Sequence, residues 1–159
     1  MICGQGLPIA LLALGVIGAC SEPRTDLPPL PSIEVTTTDP EILAQVSAAR
    51  ERVEADPDDA DANGELGSLY ELYQRPEGAR LCYQRAALLD PGALRWAYHL
   101  GRVEKTWGDP VAARAALGRA VGLDPNYLPA LAMLGELDLD NGDLAAAEAR
   151  FREILRRQP

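Results

Sequence analysis

Few residues of this chain are of a kind that does covalent or acid–base chemistry, and they stand apart. There is one histidine, His99, and three cysteines, Cys3, Cys20 and Cys82. No second imidazole or thiol completes a metal-ligand set, and no glycine loop of the phosphate-cradling kind occurs. Asp56, Asp58 and Asp59 sit at a helix boundary, where aspartate caps backbone N–H groups; reading them as an acid/base pair would require a pocket that nothing nearby builds. The chain therefore reads as non-enzymatic, with no cofactor and no metal. Noncovalent recognition is the chemistry left to it. With 15 basic and 24 acidic side chains and a formal net charge of −9, nonspecific nucleic-acid binding and electrostatic attachment to an anionic bilayer are both disfavoured.

The elements that position these residues repeat every 34 positions. Asp56-Pro57, Asp90-Pro91 and Asp124-Pro125 recur in phase, and Gln158-Pro159 falls one period on. Leu66-Gly67, Leu100-Gly101 and Leu134-Gly135 keep the same register. Thirteen residues after each Leu stands Ala79, Ala113 or Ala147; seventeen after stands Tyr83, Leu117 or Phe151; twenty after stands Ala86, Ala120 or Ile154. Small residues let antiparallel helices approach closely, and the large one fills the groove toward the next unit. The residue before proline is disfavoured in the helical region, so each Asp-Pro step stops a helix. The first unit reads as helices over 62–73 and 77–89. The middle turn is Gly108-Asp109-Pro110, with Asp109 as N-cap and Pro110 at the first helical position, and Asp143 caps the last helix, 144–157. Upstream, Ile42, Leu43, Val46, Ala49 and Val53 mark one more helix over 41–55, a cap for the array. An all-α solenoid is the expected fold class.

At these offsets the chain resembles the tetratricopeptide repeat family. The match gives a half-repeat cap at 39–56 and units at 60–93, 94–127 and 128–159. Asn63, Ala97 and Leu131 replace the family's early Trp, and its Tyr persists only as Tyr70, becoming Glu104 and Asp138. The resemblance implies that the first helices of the units line a concave face that holds a protein or peptide. Carried over, that face comprises Asp61, Gly64, Glu65, Ser68 and Glu71, then Arg95, Tyr98, His99, Arg102 and Lys105, then Pro129, Ala132, Met133, Glu136 and Asp140. Its middle helix is basic. Two readings stay open: Arg95, Arg102 and Lys105 pair with Glu65, Glu71 and Glu136 as a solvated lattice, or they receive an acidic segment or carboxyl terminus. The family's carboxylate clamp is absent, because Gly64 and Ser68 stand where Lys and Asn would. Trp96 and Trp107 are expected in the core, and Cys82 is expected to be a buried small hydrophobe. Phe151, Ile154 and Leu155 form an apolar C-terminal edge that a second copy or a partner protein is expected to cover.

The N-terminus carries a second signal. Leu7 to Ala19 is uncharged and, at 13 residues, too short for a bilayer core of ~30 Å; it fits the apolar segment of a secretory leader at 1–19. Ile17-Gly18-Ala19-Cys20 resembles the bacterial lipobox, which implies diacylation of Cys20; the alternative is an ordinary cleaved leader with Cys20 incidental. Ser21 resembles the sorting pattern for the outer membrane. Residues 20–38, with four prolines between Cys20 and Asp39, read as an extended solvated tether. Together these features describe a lipid-anchored, periplasm-facing scaffold that recruits a protein complex. Family resemblance also admits a carrier role in cytochrome maturation or a regulatory module of a larger enzyme system.

Overall fold

The structure is a computed structural model that describes residues 27–32, 35 and 39–157 of the 159-residue chain. Those residues form seven helices: α1 Pro40–Ala55, α2 Ala60–Leu72, α3 Pro76–Leu89, α4 Leu94–Trp107, α5 Pro110–Leu123, α6 Leu128–Asp140 and α7 Leu144–Arg157. Each packs on its predecessor, so α1 caps the stack and α2/α3, α4/α5 and α6/α7 are the repeated hairpins. Among the described residues there is no strand.

The helix starts and stops follow from side chains already visible in the sequence. Asp39, Asp59, Asp109 and Asp143 accept hydrogen bonds from N–H groups two or three residues on, satisfying donors that the first turn leaves open. Proline opens α1, α3 and α5, where a missing N–H is no loss. At the other end, Asp56, Asp90 and Asp124 close α1, α3 and α5 with their own N–H groups. Their carboxylates then accept from Asp58, Gly92 and Asn126, turning the chain. The solenoid thus has two rims. Asp-Pro loops lie along one, and the tight turns inside the hairpins lie along the other.

The Leu-Gly register is a packing rule. A Cβ added at Gly67 would stand 3.0 Å from the Tyr83 ring, at Gly101 2.6 Å from Leu117 Cγ, and at Gly135 2.8 Å from Phe151 Cζ. Leu66, Leu100 and Leu134 are buried beside these glycines, as are Ala79, Ala113 and Ala147. Where the first unit keeps Tyr70, the facing helix provides Gly78, whose absent Cβ makes room for the ring. The registered carboxylates take up hydrogen bonds instead. Buried Glu104 accepts from the N–H of Asp109, and buried Asp138 is held by Arg114 of α5 and Arg150 of α7. Asn63, at the lost Trp position, donates to the carbonyls of Pro57 and Asp59 and accepts from buried Arg85.

Three expectations need correction. Residues 27–32 and 35 do not behave as a solvated tether: Val35 and Pro31 are buried, Leu30 packs on the core, and three side chains hold the backbone. Trp107 is 53% exposed, because it ends α4 at the turn rim where no further helix covers it. At the C-terminal edge Leu155 is exposed, but Phe151 and Ile154 are half-buried, with Phe151 lying over Gly135. The secretory leader at 1–19, with Cys3, and the acylation position Cys20 lie outside the described residues.

Candidate functional site

Helix α4 brings the expected residues together. Arg95, Tyr98, His99, Arg102 and Lys105 follow one another at helical spacing along it. Trp96 anchors that helix against α2: its indole occupies the space where a side chain at 64 would stand, which only glycine permits. Gly64 is therefore buried floor and not open surface. Beside the indole, Tyr83 stacks on His99 with ring centroids 5.1 Å apart, Tyr98 meets His99 edge-on at 5.6 Å, and Tyr127 meets Tyr98 at 5.1 Å. Arg95 lies over the Trp96 ring at 4.5 Å, a favourable placement of a cation on a π face.

Charges close over this aromatic row. Arg102 Nη2 donates to Glu71 at 2.6 Å and to His99 Nδ1 at 3.1 Å. Guanidinium has no acceptor, so Nδ1 accepts and the ring proton sits on Nε2. The Tyr83 hydroxyl donates toward Glu71 at 2.9 Å and lies 3.1 Å from Ser68 Oγ. Lys105 pairs with Glu136 at 2.8 Å, and Arg95 pairs with Asp61. The lattice reading is thus realised for Arg102 and Lys105. Glu65 instead pairs with Arg52 of α1, and Arg95 pairs with Asp61, which the sequence placed on the face without a partner.

Burial and the neighbouring Arg102 charge both push the His99 pKa below its usual value, with Glu71 acting in the opposite sense. His99 is consequently neutral at pH 7. Burial raises Cys82 to about 12, and the thiol is fully buried, so it is an inert core group. Two N–H donors on α4, Trp96 Nε1 and Arg102 Nε, are buried with no acceptor among the described residues. Buried donors are normally satisfied, and sequence reasoning had no signal for these two. Among the described residues no group of His, Cys, Asp and Glu side chains could hold a metal ion.

Exposed ion pairs contribute under ~1 kcal/mol each, so a partner carboxylate can replace Asp61 or Glu136 at little cost.

The family described as Tetratricopeptide repeat matches residues 108–159. Several solved structures are similar. One is a crystal structure of MamA, 24% identical, with 75% of this chain and 70% of that chain covered and a TM-score of 0.70. Another is MamA 41-end from Desulfovibrio magneticus RS-1, 18% identical, with 74% and 67% covered and a TM-score of 0.68. At these identities the likeness is one of fold. No curated protein matches the chain.

Proposed function

We propose that this chain is a non-catalytic tetratricopeptide-repeat scaffold, anchored by lipid at Cys20, that docks an acidic segment of a partner protein on α4. The row of cations along α4 carries this reading: Arg95 and Lys105 are held only by ion pairs to exposed carboxylates, Asp61 and Glu136, that a partner can exchange at little cost. Arg95, Arg102 and Lys105 supply the matching positive charge inside a chain of net charge −9. The lipobox-like Ile17-Gly18-Ala19-Cys20 supports anchoring at a bacterial envelope membrane, and Ser21 supports the outer one, facing the periplasm. No helix among the described residues is long and apolar enough to cross a membrane.

Two measurements test the reading. The indole N–H resonance of Trp96, whose ring lies under Arg95, should shift when a glutamate-rich peptide is titrated in, while that of exposed Trp107 stays in place and a lysine-rich peptide has no effect. An unmoved Trp96 resonance under saturating peptide would defeat the docking site. For the anchor, Cys20→Ala should release the protein from the membrane fraction and remove lipid mass; an unchanged fraction and mass would defeat lipidation.

A further inference from the structure

The seat that holds the proline-containing segment ahead of α1 is built from repeat residues. Val46 and Arg50 of α1 and Tyr70 of α2 line a groove of about 430 Å³, which Val35 shares. Leu30 packs on the core beside it. Arg50 donates to Pro31 O, the Tyr70 hydroxyl reaches the same carbonyl at 3.5 Å, and Arg85 of α3 donates to Pro28 O at 2.6 Å. Three of the six residues 27–32 are proline, which fixes φ and favours an extended chain with no internal hydrogen bonds. Its carbonyls are therefore left for donors on the helices.

The same seat recurs one repeat on. In register with Val46, Arg50 and Tyr70 stand Arg80, Gln84 and Glu104, and these three line a second groove of about 340 Å³ with walls from α3 and α5 over α4. Leu100 and Ala116 give it a buried apolar floor. Arg119, in register with Arg85, also lines it. The side chains of Gln84 and Arg119 make no hydrogen bond or ion pair among the described residues, and Arg80 meets Glu104 only at 3.9 Å, a weak pair. The positions that hold Pro31 and Pro28 in the first groove thus carry disengaged donors in the second. The third repeat differs: Gly118 and Glu153 replace those donors, and Arg114 of α5 and Arg150 of α7 meet on Asp138, tying the walls together.

We infer that the groove between α3 and α5 docks an extended, proline-containing apolar segment of another protein, held as the first groove holds residues 27–32 and 35, with Gln84 and Arg119 donating to its backbone carbonyls. A second copy of this chain is a poor source of that segment. Each copy carries one, and withdrawing it would strip Pro28 O from Arg85, which is 6% exposed and otherwise meets only Asn63 and Pro57; a buried guanidinium is costly unless its donors are met. The groove is also separate from the cation row, because Leu100 and Glu104 lie on a different side of α4 from Arg102.

A synthetic peptide with the sequence of residues 27–35, titrated into the full chain in mild detergent and followed by amide NMR shifts, tests the groove. Saturable binding is expected with a Kd below about 1 mM, with shifts at Gln84, Leu100 and Ala116. Ala115 lines the groove from an exposed position, so Ala115→Trp should fill it and weaken binding by about tenfold or more while the circular dichroism stays helical. Arg119→Met should weaken binding as well, and an unchanged affinity there would overturn its role as donor. A peptide with glycine for each proline should bind less tightly, because its backbone is not held extended beforehand; equal binding would overturn the preference for proline. The glutamate-rich peptide directed at α4 should bind the unaltered chain and Ala115→Trp alike, so failure of one site is read apart from failure of the other. No saturable binding, equal affinity in Ala115→Trp, or shifts confined to Val46, Arg50 and Tyr70, where the peptide would have displaced the chain's own segment, would overturn the second groove.

Discussion

Gly101 and Gly118 sit on facing helices of the middle hairpin, and the same substitution should act on them with opposite sign. A Cβ at Gly101 would lie 2.6 Å from Leu117 Cγ, 2.8 Å from its Cδ2 and 3.0 Å from its backbone N. Leu117 is fully buried, so its side chain has nowhere to swing, and the backbone atom cannot yield without moving α5 from α4. Overpacking of this kind costs about 1–3 kcal/mol, against a helix-propensity gain of about 1 kcal/mol for replacing glycine. Gly101→Ala should therefore destabilise by up to about 2 kcal/mol. Gly118 is exposed, with nothing within 4 Å of the added atom. Gly118→Ala keeps only the propensity term and should stabilise by about 0.5–1 kcal/mol. Urea titration followed by far-ultraviolet circular dichroism reads both, with midpoints compared at equal slope because a repeat array need not unfold as one unit. Midpoints that rise alike in the two variants would refute the close approach of α4 and α5 at the Leu-Gly step.

Three further outcomes are expected. Burial alone would raise the Asp138 pKa, but hydrogen bonds and charge from Arg114 and Arg150 outweigh it and hold the carboxyl below its ordinary range. Its contribution is present above the unfolded pKa near ~3.9 and is lost as pH falls through the folded value. Asp138→Asn should cost about 1–2 kcal/mol at pH 7, since the two arginines are partly solvated, and should flatten the acid limb of a stability–pH curve; an unchanged limb would count against the staple. His99, the sole histidine, should titrate by NMR below its usual value, and Arg102→Met should raise it; because the folded pKa is depressed, the stability it contributes is full above ~6.5 and falls as pH drops below that. A value above ~6.5 in the native protein would contradict the stacked, Arg-facing placement. Gln74 has φ +56° at the position registered with Gly142, φ +79°, so Gln74→Gly should raise the urea midpoint by relieving about 1 kcal/mol of left-handed strain, and a lowered midpoint would refute that strain.

The hairpins were legible because one set of residues does two jobs in phase: the Asp-Pro steps both stop a helix and turn the chain, and the Leu-Gly steps both pack and set the close approach. The middle basic helix was legible through the family resemblance that registers Arg95 to Lys105. Pairing was not, because Arg52 lies on the capping helix, outside the repeat register, and takes Glu65. The seating of residues 27–32 and 35 on the helices was missed for a related reason. Proline-rich composition signals that a segment cannot build its own core, but not that a foreign core, here Arg85, Arg50 and Tyr70, has carbonyl-seeking donors waiting for it. Trp107 was misplaced because periodicity reports a helix face and not how near the residue stands to a rim.

Docking of a partner protein on α4 is read by photo-crosslinking in intact cells from a benzophenone amino acid at Tyr98, with the Arg95→Glu, Arg102→Glu, Lys105→Glu variant alongside. Docking there should give a discrete envelope-protein adduct from Tyr98 that the charge-reversed variant loses while its circular dichroism stays helical. An adduct of equal yield in both forms, or crosslinks only to a second copy of this chain, would contradict it.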